Sequence, residues 1–207
     1  MNNKNTIKNA TVFPGKCAGK ITIPPSKSFA HRAVICAALA KGESHIRNIT
    51  YSQDIKATIE CMRKLGAEIT ENGSTLTIKG VGYRSVIERT VMNNTVIDCY
   101  ESGSTLRFLI PVFALSDKTC RFTGKGRLMQ RPQDVYAEIF ASQYKDFIVT
   151  NDFIETKESL SGGIFKVRGN VSSQFISGLL FALPLMDDDS IINIIPPFES
   201  RSYVDLT

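Results

Sequence analysis

A chain of 207 residues, 43% hydrophobic and 22% charged, has the make-up of a folded protein with a real core, which excludes a disordered or fibrous one. No apolar run approaches the roughly 18 residues of a membrane span, and the polar opening MNNKNTIKNATVF is expected to carry no secretory signal. The net charge of +5 favours anionic partners, but the lysines and arginines are scattered and form no stripe of the kind that would track nucleic acid.

Residues 21–40, ITIPPSKSFAHRAVICAALA, read as an extended stretch, a polar turn and an apolar helix. Ser26 and Ser28 stand at the turn as helix caps. Val34, Ile35, Ala37, Ala38 and Leu39 leave the helix almost no polar face, which predicts burial, and Cys36 among them reads as a small core residue. Residues 52–66, SQDIKATIECMRKLG, place Ile55, Ile59, Met62 and Leu65 on one helical face and close on Gly66. In STLTIKG, Leu76 and Ile78 alternate with Thr75, Thr77 and Lys79, predicting a strand with one wet face.

Residues 95–115, TVIDCYESGSTLRFLIPVFAL, repeat the stretch, turn and helix, with Ser102, Ser104 and Thr105 at the turn and an apolar run from Phe108 to Leu115. Residues 131–142, RPQDVYAEIFAS, predict a second helix entered through Pro132 and Asp134. Residues 163–185 repeat the design a third time, with Ser172 and Ser173 before a run from Leu179 to Leu185. In the terminal SRSYVDLT, Asp205 parallels Asp54 and Asp134. The period of about 70 residues suits a small α/β unit rather than a solenoid. Three units with helices inside and sheets outside are therefore expected, at about 21–90, 91–155 and 156–207. The last would stop as its second helix begins, so the chain is expected to be one piece of a longer protein.

Five cysteines, Cys17, Cys36, Cys61, Cys99 and Cys120, are odd in number and lack C-x-x-C spacing, so they are expected to be reduced thiols of a cytoplasmic protein. His31 and His45 have no close companions of the kind a zinc site needs, and no metal is expected.

Three buried helices with neighbouring starts would present free N–H groups and partial positive charge to one place, a setting for phosphate or carboxylate. The first start carries Lys27, Ser28 and Arg32, the second Gly103 and Arg107, and the third Ser172, Ser173 and Gln174; GKGRLMQRPQD adds Arg127 and Arg131. Arg107, inside an apolar helix, needs a partner, for which Asp98 or Glu101 is available.

These residues carry a resemblance. PPSKSFAHRA is similar to the P-x-S-K-S-x-x-x-R-A signature of the 5-enolpyruvylshikimate-3-phosphate synthases, ESGSTLRFL to their N-x-G-T-x-x-R-x-L segment, and RLMQRPQD to their R-x-x-x-R-P element. SSQF and SRSYVD also match, so five motifs in family order span residues 24–205. The sister family acting on UDP-N-acetylglucosamine shares the scaffold but typically has Lys-Asn where Lys27-Ser28 stand and lacks the SSQ segment.

The resemblance implies an α/β fold of the inside-out, enolpyruvyl transferase-like kind. It also implies attack of the 5-hydroxyl of shikimate 3-phosphate on C2 of phosphoenolpyruvate, protonation of C3, and loss of inorganic phosphate from the tetrahedral adduct, with no metal or organic cofactor. Lys27, Ser28, Arg32, Ser172, Ser173, Gln174, Ser200 and Tyr203 would hold shikimate 3-phosphate. Lys27, Gly103, Arg131 and Gln174 would hold phosphoenolpyruvate, with Lys27 the anchor shared by both. Glu101 departs from the asparagine frequent in the family and would repel an anion unless paired, with Arg107 the candidate partner.

In the family the cleft lies between two similar domains, and the proton-transfer groups come from the second. Residues 21–207 correspond to the first, while residues 1–20 would help build the second. No acid–base pair is evident in this chain, so alone it is expected to bind without turnover; the full enzyme is expected to be monomeric. The competing readings are a non-catalytic phosphometabolite-binding module and a nucleic-acid binder, the latter disfavoured by the absence of tryptophan.

Overall fold

The structure, a computed structural model, describes residues 10–16 and 18–207; expectations falling on residues 1–9 and on Cys17 lie outside the described residues. The first elements are α1 (Lys27–Leu39), β1 (Lys41–Ile46), α2 (Gln53–Leu65), β2 (Glu68–Asn72), β3 (Thr75–Val81) and α3 (Arg84–Thr90). Next come β4 (Thr95–Asp98), α4 (Gly103–Phe113), β5 (Cys120–Thr123), α5 (Asp134–Ser142), β6 (Phe147–Val149) and β7 (Phe153–Thr156). The last are β8 (Gly163–Arg168), α6 (Ser173–Ala182), a 3-10 turn at Leu183–Leu185, β9 (Ser190–Ile195) and α7 (Arg201–Asp205).

Local chemistry accounts for the helix ends. Ser52 caps α2 by accepting from the Ile55 N–H, Asp54 lies in its first turn, and Arg63 and Lys64 lie in its last. Gly66 then ends α2 at φ 114°, a left-handed conformation costly for any residue with a Cβ. The side chains of Ser26, Ser102 and Ser172 cap α1, α4 and α6 in the same manner.

The strands form three sheets, ordered β1-β3-β2, β4-β5-β7-β6 and β8-β9. In the second and third, the strand entering the buried helix lies parallel to the strand leaving it, with Thr95 opposite Cys120 and Gly163 opposite Ser190. The first sheet lacks that member. Residues 21–24 form no strand, Ile21 and Ile23 are 85% and 78% exposed, and β1 is left at the sheet edge. The extended opening expected of all three segments is thus a paired strand in only two. Side chains at 21–24 find no described surface to bury against, so nothing offsets the entropy of fixing that backbone.

The sheets turn one face inward, as their alternation predicts. Leu76 and Ile78 of β3 are fully buried while Lys79 is exposed, and Phe165 and Val167 of β8 are buried while Ile164 and Lys166 face outward. Inside, α4 packs on α6 and α2, α1 on α2, and α6 on α7. Buried Ile35, Phe108, Leu109, Phe113, Phe175 and Leu179 each contribute about 1.5–3 kcal/mol. Cys36 corrects one expectation. It is exposed, because it shares a stripe of α1 with exposed Phe29 and half-buried Ala33 that no described element fully covers.

Pro111 shapes the centre. Lying inside α4, it has no N–H to give the carbonyl of Arg107 one turn earlier. That carbonyl accepts instead from the Tyr136 hydroxyl of α5. Gly178 of α6 lies against the same carbonyl and hydroxyl, with no room for a Cβ, which lets α4 and α6 approach closely.

Candidate functional site

The starts of α1, α4 and α6 meet α7 around a cleft of about 450 Å3 lined by Ser28, Arg32, Ser104, Arg107, Phe108, Arg131, Ser172, Ser173, Gln174, Ser200 and Tyr203. The three helices that open on it have no acidic residue in their first turns, whereas α2 and α5, whose starts do not line it, begin with Asp54 and Asp134. The helix starts that face the cleft thus have no acidic residue of their own, while those of α2 and α5 do. The lining contains no carboxylate. A second cleft of equal volume, beside Leu183, Pro184 and Ile192, is rimmed by Asp187, Asp188 and Asp189 and is unsuited to an anion.

Arg107 and Gln174 form the floor. Arg107 Nη1 donates to Gln174 Oε1 at 3.0 Å, Nη2 donates to the Pro132 carbonyl at 3.1 Å, and the guanidinium lies 4.7 Å from the Phe175 ring centre. Gln174 Nε2 donates to Ser104 Oγ at 2.9 Å, so both ends of its amide are held. Arg107 therefore pairs with neither Asp98 nor Glu101. Helix α4 aims it at α6, while the Asp98 carboxylate accepts from the Tyr100 N–H and the Glu101 carboxylate lies beside Gly126. Burial pulls the Arg107 pKa below the ordinary arginine value; Tyr136 opposes this and the charge of Arg131 adds to it. Among the described residues, neither Arg107 nor Arg131 has a carboxylate within ion-pair distance. Two guanidinium groups without a counter-ion favour an incoming anion.

Arg32 is more engaged than its place in the motif suggests. Nε donates to Thr207 Oγ1 at 2.8 Å, Nη1 to the Ser28 carbonyl at 2.9 Å, and Nη2 to Ser177 Oγ at 3.2 Å and the Tyr203 carbonyl at 2.8 Å. Most of its donors thus tie α1 to α6 and α7, and burial lowers its pKa. Lys27 and Gly103 do not line the cleft directly. Lys27 Nζ is bonded to Asp54 Oδ2 at 2.6 Å, leaving two ammonium hydrogens for other acceptors. Gly103 packs against the Arg131 guanidinium.

The other eight residues assigned from the motifs, Ser28, Arg32, Arg131, Ser172, Ser173, Gln174, Ser200 and Tyr203, line one cleft. Sequence reasoning did not assign Ser104 and Phe108 to the site, and it gave Asp54 no tie to Lys27. The signal for Ser104 was its place in the first turn of the second repeated helix. Among the described residues, no group of three or more His, Cys, Asp or Glu side chains gathers to hold a metal ion, and no helix is long and apolar enough to cross a membrane.

The chain is similar to known proteins over nearly its whole length. The 3-phosphoshikimate 1-carboxyvinyltransferase of Clostridium beijerinckii is 51% identical over 205 residues, covering 96% of this chain and 46% of the relative. That of Clostridium perfringens strain SM101 is 49% identical over 203 residues, covering 97% and 47%. The chain therefore spans about half the length of the curated relatives it matches. Two structures of EPSP synthase from Acinetobacter baumannii share the fold at a TM-score of 0.73, with 23% and 22% identity, covering 90% of this chain and 42% of theirs. The family model for EPSP synthase matches residues 13–207, from before α1 through α7, and the chain belongs to the EPSP synthase (3-phosphoshikimate 1-carboxyvinyltransferase) family.

Proposed function

We propose that this chain is the substrate-anchoring half of an enolpyruvyl transferase that moves the enolpyruvyl group of phosphoenolpyruvate to the 5-hydroxyl of shikimate 3-phosphate. The observation that carries this is the carboxylate-free cleft where three uncompensated helix starts meet Arg32, Arg107 and Arg131. Both substrates carry a phosphate and a carboxylate, four anionic groups in all, and forked guanidinium donors with fixed helix N–H groups match them. Ser172, Ser173, Ser200 and Tyr203 would read the phosphate and ring hydroxyls of shikimate 3-phosphate. Gly103, Arg131 and Gln174 would hold phosphoenolpyruvate, with Lys27 reaching both. Preorganised donors of this kind act by positioning reactants and stabilising developing charge.

Protonating C3 and deprotonating the 5-hydroxyl need an acid and a base at the reacting atoms. The cleft lining has neither a carboxylate nor a histidine, which supports assigning these groups to a second domain of the full protein. The domain reading is a first domain at 21–207 of three α/β units, about 21–90, 91–155 and 156–207, with residues 1–20 contributing to the second. The three separate sheets support it. The four free cysteines among the described residues suit a cytoplasmic enzyme.

Calorimetric titration of the chain with shikimate 3-phosphate, phosphoenolpyruvate and an oligonucleotide tests the reading. The expected result is saturable binding of shikimate 3-phosphate and no phosphate release from the mixture. Binding of the oligonucleotide alone, or turnover by the isolated chain, would overturn it.

A further inference from the structure

His31 lies on α1 one turn after Lys27, is 1% exposed, and is absent from the cleft lining. Its Nδ1 is 2.8 Å from Thr58 Oγ1 on α2. Its Nε2 has no partner, and the ring stands edge-on to Phe108 of α4 at 6.3 Å. From Thr58 the contacts continue: Oγ1 is 2.7 Å from Thr105 Oγ1 on α4, which is 2.7 Å from Oγ of Ser102, the cap of α4. The Asp54 carbonyl lies 3.2 and 3.4 Å from the two threonine hydroxyls, an alternative acceptor for each, while its carboxylate holds Lys27.

Counting protons gives this chain a direction. A buried N–H without an acceptor is rarer in folded proteins than an unfilled acceptor site, and a stranded polar group bears its full desolvation cost. The neutral ring therefore carries its proton on Nδ1 and donates to Thr58. Thr58 donates onward to Thr105, the shorter of its two choices, and Thr105 donates to Ser102. Ser102 Oγ also accepts from the Thr105 N–H at 3.1 Å, so the start of α4 is held by two donors. Burial keeps the ring neutral.

We propose that His31 is a positioning residue. The chain His31, Thr58, Thr105 and Ser102 sets the spacing between Lys27 on α1 and the Gly103 start of α4, two sides of the phosphoenolpyruvate subsite. This rests on the functional reading above. Hydrocarbon side chains could fill the same space, but consecutive hydrogen bonds of 2.7–2.8 Å add a directional constraint on the register of the helices that apolar contact lacks.

Three variants of the chain and one spectrum test the proposal. His31→Asn keeps an N–H near the Nδ1 position, His31→Leu removes it, and Thr58→Val cuts the chain without changing shape. Phosphoenolpyruvate affinity should fall about tenfold in His31→Leu and Thr58→Val and stay within about threefold of wild type in His31→Asn, with cooperative unfolding retained. Imidazole nitrogen shifts should report a protonated Nδ1 and a bare Nε2. A protonated Nε2, or wild-type affinity in Thr58→Val, overturns the proposal. If His31→Leu does not fold, Thr58→Val and the spectrum decide. If the wild-type chain binds neither phosphoenolpyruvate nor shikimate 3-phosphate, the functional reading fails. The relay is then judged on the unliganded chain, by the tautomer and by amide exchange at Thr105, which should be faster in Thr58→Val.

Discussion

Replacing Gly103 with alanine puts a methyl group against the Arg131 guanidinium. The new Cβ would lie 3.6 Å from Arg131 Cζ and roughly 1 Å inside ordinary contact distance of Nη1. Helix α4 cannot retreat, because its first turn is held by the Ser102 cap and packed around buried Leu106. Arg131 must therefore swing away by about 1 Å, which is enough to break a charge-assisted hydrogen bond worth about 1.5–3 kcal/mol. Phosphoenolpyruvate affinity should fall by about ten- to a hundredfold, while affinity for shikimate 3-phosphate, which the proposed function assigns mainly to α1, α6 and α7, should change little. Stability should move the other way or not at all, since alanine is the better helix former by up to about 1 kcal/mol. Titration of each ligand alongside a thermal melt reads both effects. Wild-type affinity for phosphoenolpyruvate in Gly103→Ala would refute the placement of Arg131, and loss of both ligands together with a lowered melting point would mean the helix itself had moved.

Burial lowers the His31 pKa from 6.5 to about 4, against an opposing pull from Asp54, with Lys27 and Arg32 adding to the lowering. The unfolded chain therefore takes up a proton that the folded chain refuses as pH falls from 6.5 towards 4, and folding should weaken across that window by about 3 kcal/mol relative to His31→Asn. Urea unfolding of both proteins at stepped pH checks this, and parallel stability curves would contradict it. Gly178→Ala forces a methyl against the Arg107 carbonyl and the Tyr136 hydroxyl, and should lower stability by about 1–3 kcal/mol; an unchanged urea midpoint would show that α4 and α6 are not so close. Arg107→Lys replaces a planar fork with a single ammonium that cannot hold Gln174 and the Pro132 carbonyl together, so affinity for phosphoenolpyruvate should drop about tenfold. Calorimetry reads that loss, and retained affinity would mean Gln174 is oriented by Ser104 alone.

Helix α2 was legible to the residue, from Ser52 at its start, four apolar positions on one face and Gly66 at its end. The alternation of Leu76 and Ile78 likewise located β3 and its inward face. These signals are local: a cap acts on the next three residues, and burial of one face imposes a period of 3.6 or 2 on the chain. The three serine-capped helix starts were legible for the same reason. Other features depend on which elements meet, and no short-range pattern encodes that. Arg32 is bound to Thr207, 175 residues away. Arg107 found Gln174, on another helix, rather than the acids a few residues upstream. Tyr136 fills the carbonyl that Pro111 leaves open, Cys36 lies on the uncovered side of an otherwise buried helix, and residues 21–24 have the pattern of a strand without a sheet to join. The sequence by itself determined the serine-capped helices and their positive ends, because those follow from backbone groups and charge within a turn, while the short α3 carried no such signal. Only the tertiary structure decided which cations are spent on the protein and which remain for a ligand, because long side chains pair with whatever the packing of distant helices brings within 3 Å.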